Sequence, residues 1–191
     1  MIYETILTTS NADGSPHIAP FGIREQAGHV IISPFRPSTS LDNLLRSGCA
    51  VVNATDDVRV FAGALTGRRD WPVTRAGQIN GWRLQSALSH RELDLLSVKD
   101  DDLRPALTFQ VVCEENHAPF RGYNRAQAAV LEAAVLVSRL NMLTIEKVDH
   151  EVGYLKIAIE KTAGENEWQA WQWLMDKIEN HKAAMTGGNV A

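Results

Sequence analysis

Alternation of apolar and polar positions runs through the first half of the chain, and a helical rhythm replaces it towards the end. Ile2 to Thr9 alternates into a strand. The run Asn11-Ala12-Asp13-Gly14-Ser15-Pro16 is a strong turn signal, and His17 to Arg24 then reads as a second extended segment, so the chain opens as a β-meander. After the turn at Ala27-Gly28, Val30, Ile31 and Ile32 form a buried-strand run. Leu41, Leu44 and Leu45 fall on one face of a short helix that Gly48 ends, and Cys49 to Ala54 returns as a strand. Val58 to Ala62 either extends the sheet or begins a loop excursion, and Gly63 to Trp82 carries no clear period. Arg83 to Val98 and Ala106 to Asn116 read as a long hairpin across an acidic joint, Lys99 to Pro105.

Beyond His117 the period changes. Gln127 to Leu143 is rich in Ala, Leu and Val, with Asn124 placed as its N-cap. Val148, Val152, Leu155 and Ile159 recur at helical spacing. A last helix, Glu167 to Met185, puts Trp168, Trp171, Leu174, Met175 and Ile178 on one face, a core signature and not a cofactor box. The tail Thr186-Gly187-Gly188-Asn189 reads as frayed. The simplest assembly is an α+β chain: a six-stranded antiparallel barrel with a helix inserted after the third strand, residues 1–120, followed by a helical domain, residues 121–191.

Composition narrows the function classes. With 191 residues, 45% of them hydrophobic and 22% charged, the chain has the material for one sizeable core or two small ones. A net charge of −4 argues against nucleic acid as a standing partner, because binding a phosphate backbone needs a basic face. The arginines gather in the first half, which suits a small anionic ligand better than a polyanion. The N-terminus has no basic and apolar leader pattern and no apolar run is long enough to span a bilayer, so the expectation is a cytoplasmic protein without a membrane. Cys49 and Cys113 stand alone in valine-rich strands and read as buried thiols of a reducing compartment.

Candidate chemistry concentrates at two junctions. Pro34-Phe35-Arg36-Pro37-Ser38-Thr39-Ser40-Leu41-Asp42-Asn43 leads a strand into a helix through hydroxyls and an arginine. The first N–H groups of a helix have no partner within it and the helix dipole adds positive charge there, so a phosphate can accept several bonds at once, with Arg36 adding a guanidinium fork. An ordinary N-cap, with Thr39 and Asp42 as a capping box, explains the same residues. The second junction, His117-Ala118-Pro119-Phe120-Arg121-Gly122-Tyr123-Asn124-Arg125, packs two arginines, an amide and aromatics into a loop; it is either a site or a connector whose arginines meet acidic segments. Arg68 and Arg69, after Gly63 to Gly67, reach a ligand's charge or lie solvated. No two of the six histidines stand at helical metal-ligand spacing, so no metal is expected, and there is no G-x-S-x-G elbow for a nucleophile.

The strings Ile2-Tyr3-Glu4-Thr5-Ile6, Pro16-His17-Ile18-Ala19-Pro20, Pro34 to Ser38, Leu41-Asp42-Asn43-Leu44, Asp56-Asp57-Val58, Gly67 to Pro72 and His117 to Gly122 resemble the DUF447 family, which is placed with the FMN-binding split-barrel flavoproteins. The resemblance spans nearly the whole chain. It implies a split β-barrel of the FMN-binding type, FMN as cofactor and a homodimer with the flavin site at or near the interface. By that resemblance the FMN phosphate would lie on Arg36, Ser38, Thr39 and Ser40, with Asn43 beside it. The ring would lie near Ile18, Ala19 and Pro20, with Arg121, Asn124 and Arg125 near the site mouth or the partner subunit. The implied activity is that of an FMN-dependent oxidoreductase on a small, anionic or pterin-like substrate. A flavin-binding or electron-transfer module without its own substrate, and a cofactor-free interaction protein, are the alternatives, and a deazaflavin offers the same phosphate and flat ring as FMN.

Overall fold

The computed structural model describes residues 1–187. Within them, contacts divide the chain into two units: Met1–Asp56 with Arg69–Phe120, and Asp57–Arg68 with Arg121 onward. Of the tail that the sequence reads as frayed, Thr186 and Gly187 belong to the last helix, and Gly188 and the residues after it lie outside the described residues.

The first unit is built from β1 (Ile2–Ser10), β2 (Pro16–Gln26), β3 (His29–Ile32), α1 (Thr39–Ser47), β4 (Cys49–Ala54), β5 (Val73–Arg75), β6 (Trp82–Leu84), β7 (Ser89–Lys99) and β8 (Ala106–Asn116). Six of the strands close an antiparallel barrel in the order β1-β2-β3-β8-β7-β4, and β5 and β6 form a separate small hairpin. The alternation read from the sequence sets the faces. Leu7, Ile23, Val30, Ile32, Ala50, Val52, Leu93, Leu107 and Phe109 fill the interior, and Leu41 and Leu44 of α1 join them. Ser38 caps α1, its hydroxyl accepting the N–H of Leu41, and Gly48 ends it at φ 67°, a left-handed conformation that only glycine adopts without a steric cost.

The closure is incomplete along one edge. β2 pairs with β1 from Pro16 to Arg24. With β3 it pairs only over Arg24–Gln26. Among the described residues, Pro16 to Ile23 therefore has a strand on one side and none on the other.

The second unit holds α2 (Arg59–Leu65), α3 (Arg125–Ser138), α4 (Ile145–Thr162) and α5 (Glu165–Gly187). Its core gathers Val58 and Ala62 with Ala126, Ala129, Val130, Ala133, Val148, Ile159, Ala170, Trp171, Leu174 and Ile178. Asn124 caps α3 as its position suggests, accepting the N–H groups of Ala126 and Gln127.

Four expectations change. Val58 to Ala62, β-branched and open to a strand reading, is helical, because Val58 and Ala62 bury a helical face among α3 and α5 residues. The long segment from Arg83 to Val98 breaks after Leu84, and its pairing strand begins at Ser89. The tryptophan stripe holds at Trp171 but not at Trp168, which is 43% exposed, and the inward row runs through Glu167, Ala170, Trp171, Leu174 and Ile178. The two cysteines are half-buried, not fully buried as the valine-rich strands suggest. Among the described residues no helix is long and apolar enough to cross a membrane.

Candidate functional site

The strand-to-helix junction forms a polar corner of the barrel unit. His17, at the start of β2, lies with its Nε2 3.1 Å from the Ser40 hydroxyl in the first turn of α1. Burial pushes the His17 imidazole below its usual pKa, and the positive charge of Arg69 pushes it further. The corner therefore collects the first N–H groups of α1, the hydroxyls of Ser38, Thr39 and Ser40 and an imidazole that feels the charge of Arg69. Helix N–H groups, hydroxyls and an imidazole beside a guanidinium charge are groups of the kind that hold a phosphate monoester.

The predicted residues divide. Ser38, Thr39 and Ser40 share the start of α1, although the Ser38 oxygen already serves as the cap. Arg36 points elsewhere: its guanidinium bonds the Asp100 carboxylate at 2.9 Å, and its backbone N–H donates to Leu103. That pair is exposed, so it holds Arg36 only weakly. Asn43 is buried and engaged, with Nδ2 donating to Thr9 Oγ1 at 3.1 Å and to Asn11 Oδ1 at 3.0 Å while Oδ1 accepts from Arg46. It ties α1 to the end of β1. Ile18, Ala19 and Pro20 lie on the half-paired stretch of β2; Ala19 shares the face of His17, and Ile18 and Pro20 take the opposite one.

Arg121, Asn124 and Arg125 begin the second unit. Arg121 and Arg125 are exposed. Asn124 spends its amide on α3 and on the Thr162 carbonyl, 3.1 Å away. Arg68 lies over the Trp173 ring at 4.4 Å, inside the same unit.

Sequence reasoning weighed Arg69 for a ligand's charge but missed His17 and a second polar cluster on β7. Glu92, 1% exposed, accepts the N–H groups of Gly77, Gln78 and Ile79 at 2.6, 2.7 and 2.9 Å. Burial raises its pKa, but those three N–H groups and His90 outweigh the burial and hold the carboxyl below its ordinary value. A strand glutamate flanked by Arg91 and Leu93 carries no signal of its own; only the apposed loop makes it a structural anion.

Comparison with known proteins agrees with this architecture. The model of the protein of unknown function (DUF447) N-terminal domain matches residues 3–118, and the companion DUF447 model matches residues 124–176. Among curated proteins no relative matches. Among solved structures, the FMN-bound protein MM1853 from Methanosarcina mazei, itself of the DUF447 family, superposes with a TM-score of 0.78 at 20% identity, over 92% of this chain and 94% of that one. An FMN-binding protein from Thermus thermophilus with bound 1-cyclohex-2-enone gives 0.52 at 12% identity, covering 59% and 69%. The Pseudomonas fluorescens 2-nitrobenzoate 2-nitroreductase NbaA gives 0.52 at 18% identity, covering 60% and 64%. The barrel and its inserted helix have the split-barrel fold of these structures, the likeness to MM1853 extends through the helices that follow, and the chain belongs to the DUF447 family.

Proposed function

We propose that the chain is an FMN-binding flavoprotein and acts as an FMN-dependent oxidoreductase on a small, anionic or pterin-like substrate. The observation that carries the reading is the junction of two features through one hydrogen bond: His17 opens the half-paired stretch of β2, and its imidazole meets Ser40 at the start of α1. A phosphate-binding corner thus adjoins a strand edge with main-chain groups available to a flat ring. The solved relatives in which FMN is bound support the same choice.

Bound FMN would supply hydride transfer at its ring nitrogen. The protein's part is binding and orientation. The N–H groups of Thr39 and Ser40, their hydroxyls, His17 and Arg69 would hold the phosphate. The main chain around Ile18, Ala19 and Pro20 would line the ring. Arg121 and Arg125 would attract an anionic substrate or electron donor. Arg36 serves the phosphate only if it leaves Asp100.

The reading includes a homodimer with the site at or near the interface. Tyr3, Leu96, Val98 and Val112 are exposed apolar residues on barrel strands, the kind of surface a second copy would cover. Sedimentation of the purified protein at twice the monomer mass is the expected result.

Titration with FMN, followed by quenching of flavin fluorescence, tests the cofactor. Arg69→Ala should weaken binding by about 1.5–3 kcal/mol, the worth of a charge-assisted hydrogen bond, and Arg36→Ala by less. The reverse ranking would return the phosphate to Arg36. A protein that takes up no FMN at micromolar concentration would favour a cofactor-free interaction module. FMN that binds but is not reoxidised by any acceptor faster than by oxygen would favour an electron carrier.

A further inference from the structure

We propose that the open end of the β7–β8 hairpin is a binding site for a divalent transition metal of the zinc class, with His90, Glu115 and His117 as ligands. His90 pairs directly with Glu115, and Glu92 with Cys113. Because side chains alternate along a strand, these four residues and His117, two positions past Glu115, fall on one face of the hairpin. The ligand atoms of His90, Glu115 and His117 lie within 4.8 Å of one another.

The groups that would orient the ligands are already in place. His90 is 2% exposed, and its Nε2 lies 3.3 Å from Glu92 Oε1. Glu92 is fixed by three backbone N–H groups and can only accept, so the His90 proton sits on Nε2 and the lone pair on Nδ1. A carboxylate that orients a histidine through one nitrogen while the other faces outward is the usual support of a metal-bound imidazole. Here Nδ1 faces His117 Nε2 at 2.8 Å. In the metal-free protein, His117 must donate its N–H to that lone pair. A metal would take the place of this proton, which passes by way of solvent to the Nδ1 of His117, so that ring stays a neutral imidazole as the two metal–nitrogen bonds form. Tetrahedral zinc holds nitrogen ligands at about 2.0–2.1 Å, which requires the two nitrogens to move slightly apart. His117 is exposed and lies beyond the last residue of β8, so it has room to do so.

The donor types select the metal. Two imidazoles and one carboxylate suit zinc, cobalt, nickel or copper, whereas calcium and magnesium require oxygen. Glu92 and Glu115 bring two negative charges and the nearby Arg83 one positive charge. Glu92 is not assigned as a ligand, since its oxygens are occupied by the loop. Cys113 is not assigned either; its sulfur lies 3.9 Å from the Glu115 carboxylate, one residue pair further along the hairpin.

The test is metal uptake by the chelator-stripped full chain, with no flavin added, so that failure of flavin binding leaves it readable. Cobalt should bind one equivalent and give the visible absorption of a tetrahedral N/O site, and zinc should displace it. His117→Ala and Glu115→Gln, both at exposed positions, should abolish stoichiometric uptake while circular dichroism stays unchanged. Cys113→Ser should retain it. The proposal is overturned by absence of uptake at micromolar metal, by uptake that survives both ligand variants, or by its loss in Cys113→Ser. Histidine ring nitrogen shifts in the NMR spectrum of the unaltered protein give the same decision independently: zinc must move His90 Nδ1 and His117 Nε2 and leave His90 Nε2 protonated.

Discussion

His17 shows how one side chain acquires a role that its position in the sequence does not announce. Between a proline and an isoleucine at a strand start it reads as part of an extended run, and only the fold brings it to Ser40 and Arg69. Because burial and Arg69 lower its pKa, the folded protein takes up this proton less readily than the unfolded chain does. Its contribution to stability is therefore present above about pH 6.5 and is lost as the pH falls towards the folded value. A bound phosphate reverses the sign by favouring the imidazolium, so FMN affinity should rise from pH 8 towards pH 6. The phosphate titrates as well, and the decisive comparison is His17→Gln, which should flatten the profile relative to the natural protein. Identical profiles would remove His17 from the site. Glu92 teaches the same lesson, since a strand glutamate becomes a structural anion only when the Gly77 to Ile79 backbone closes over it.

At the scale of the element, legibility follows period and capping. β1, β4 and α1 are readable because alternation, β-branched runs and a glycine stop agree with the burial they meet. α3 is readable from Asn124. Its amide accepts two helix N–H groups and donates to Thr162, so Asn124→Ala should cost about 1–2 kcal/mol, measured as a lower thermal midpoint. A midpoint unchanged by the substitution would show that the cap is dispensable. α2 is not readable, because Val58-Arg59-Val60-Phe61-Ala62 carries strand propensity and no side-chain cap; burial of Val58 and Ala62 against other helices overrides local preference. The histidine–glutamate cluster escapes for a related reason. A search at helical spacing cannot see ligands assembled by strand alternation across a hairpin.

For the molecule as a whole, the order of the two units along the chain matters more than their boundary near residue 120. Asp57–Arg68 leaves the barrel's sequence and contributes α2 to the helical core before the chain returns to finish the barrel. A chain ended at residue 120 would keep all six barrel strands and expose Val58 and Ala62 without the helices that cover them. Such a chain should be poorly soluble, and replacing residues 57–68 with a short polar loop should restore solubility. A soluble, monomeric 1–120 chain with α2 intact would show that the helical unit is not needed to cover this segment.

The one-sided pairing of β2 carries a consequence for exchange with deuterium. In an antiparallel ladder successive amide groups point to opposite sides, so from Pro16 to Ile23 those turned towards β1 are held in the ladder and those turned away have no strand partner among the described residues. Pro16 and Pro20 carry no N–H, so the alternation of fast and slow exchange is read at His17, Ile18, Ala19, Phe21, Gly22 and Ile23. A flavin lying along the bare side would quiet the fast positions and leave the slow ones unchanged, which makes the alternation itself a footprint of the ligand.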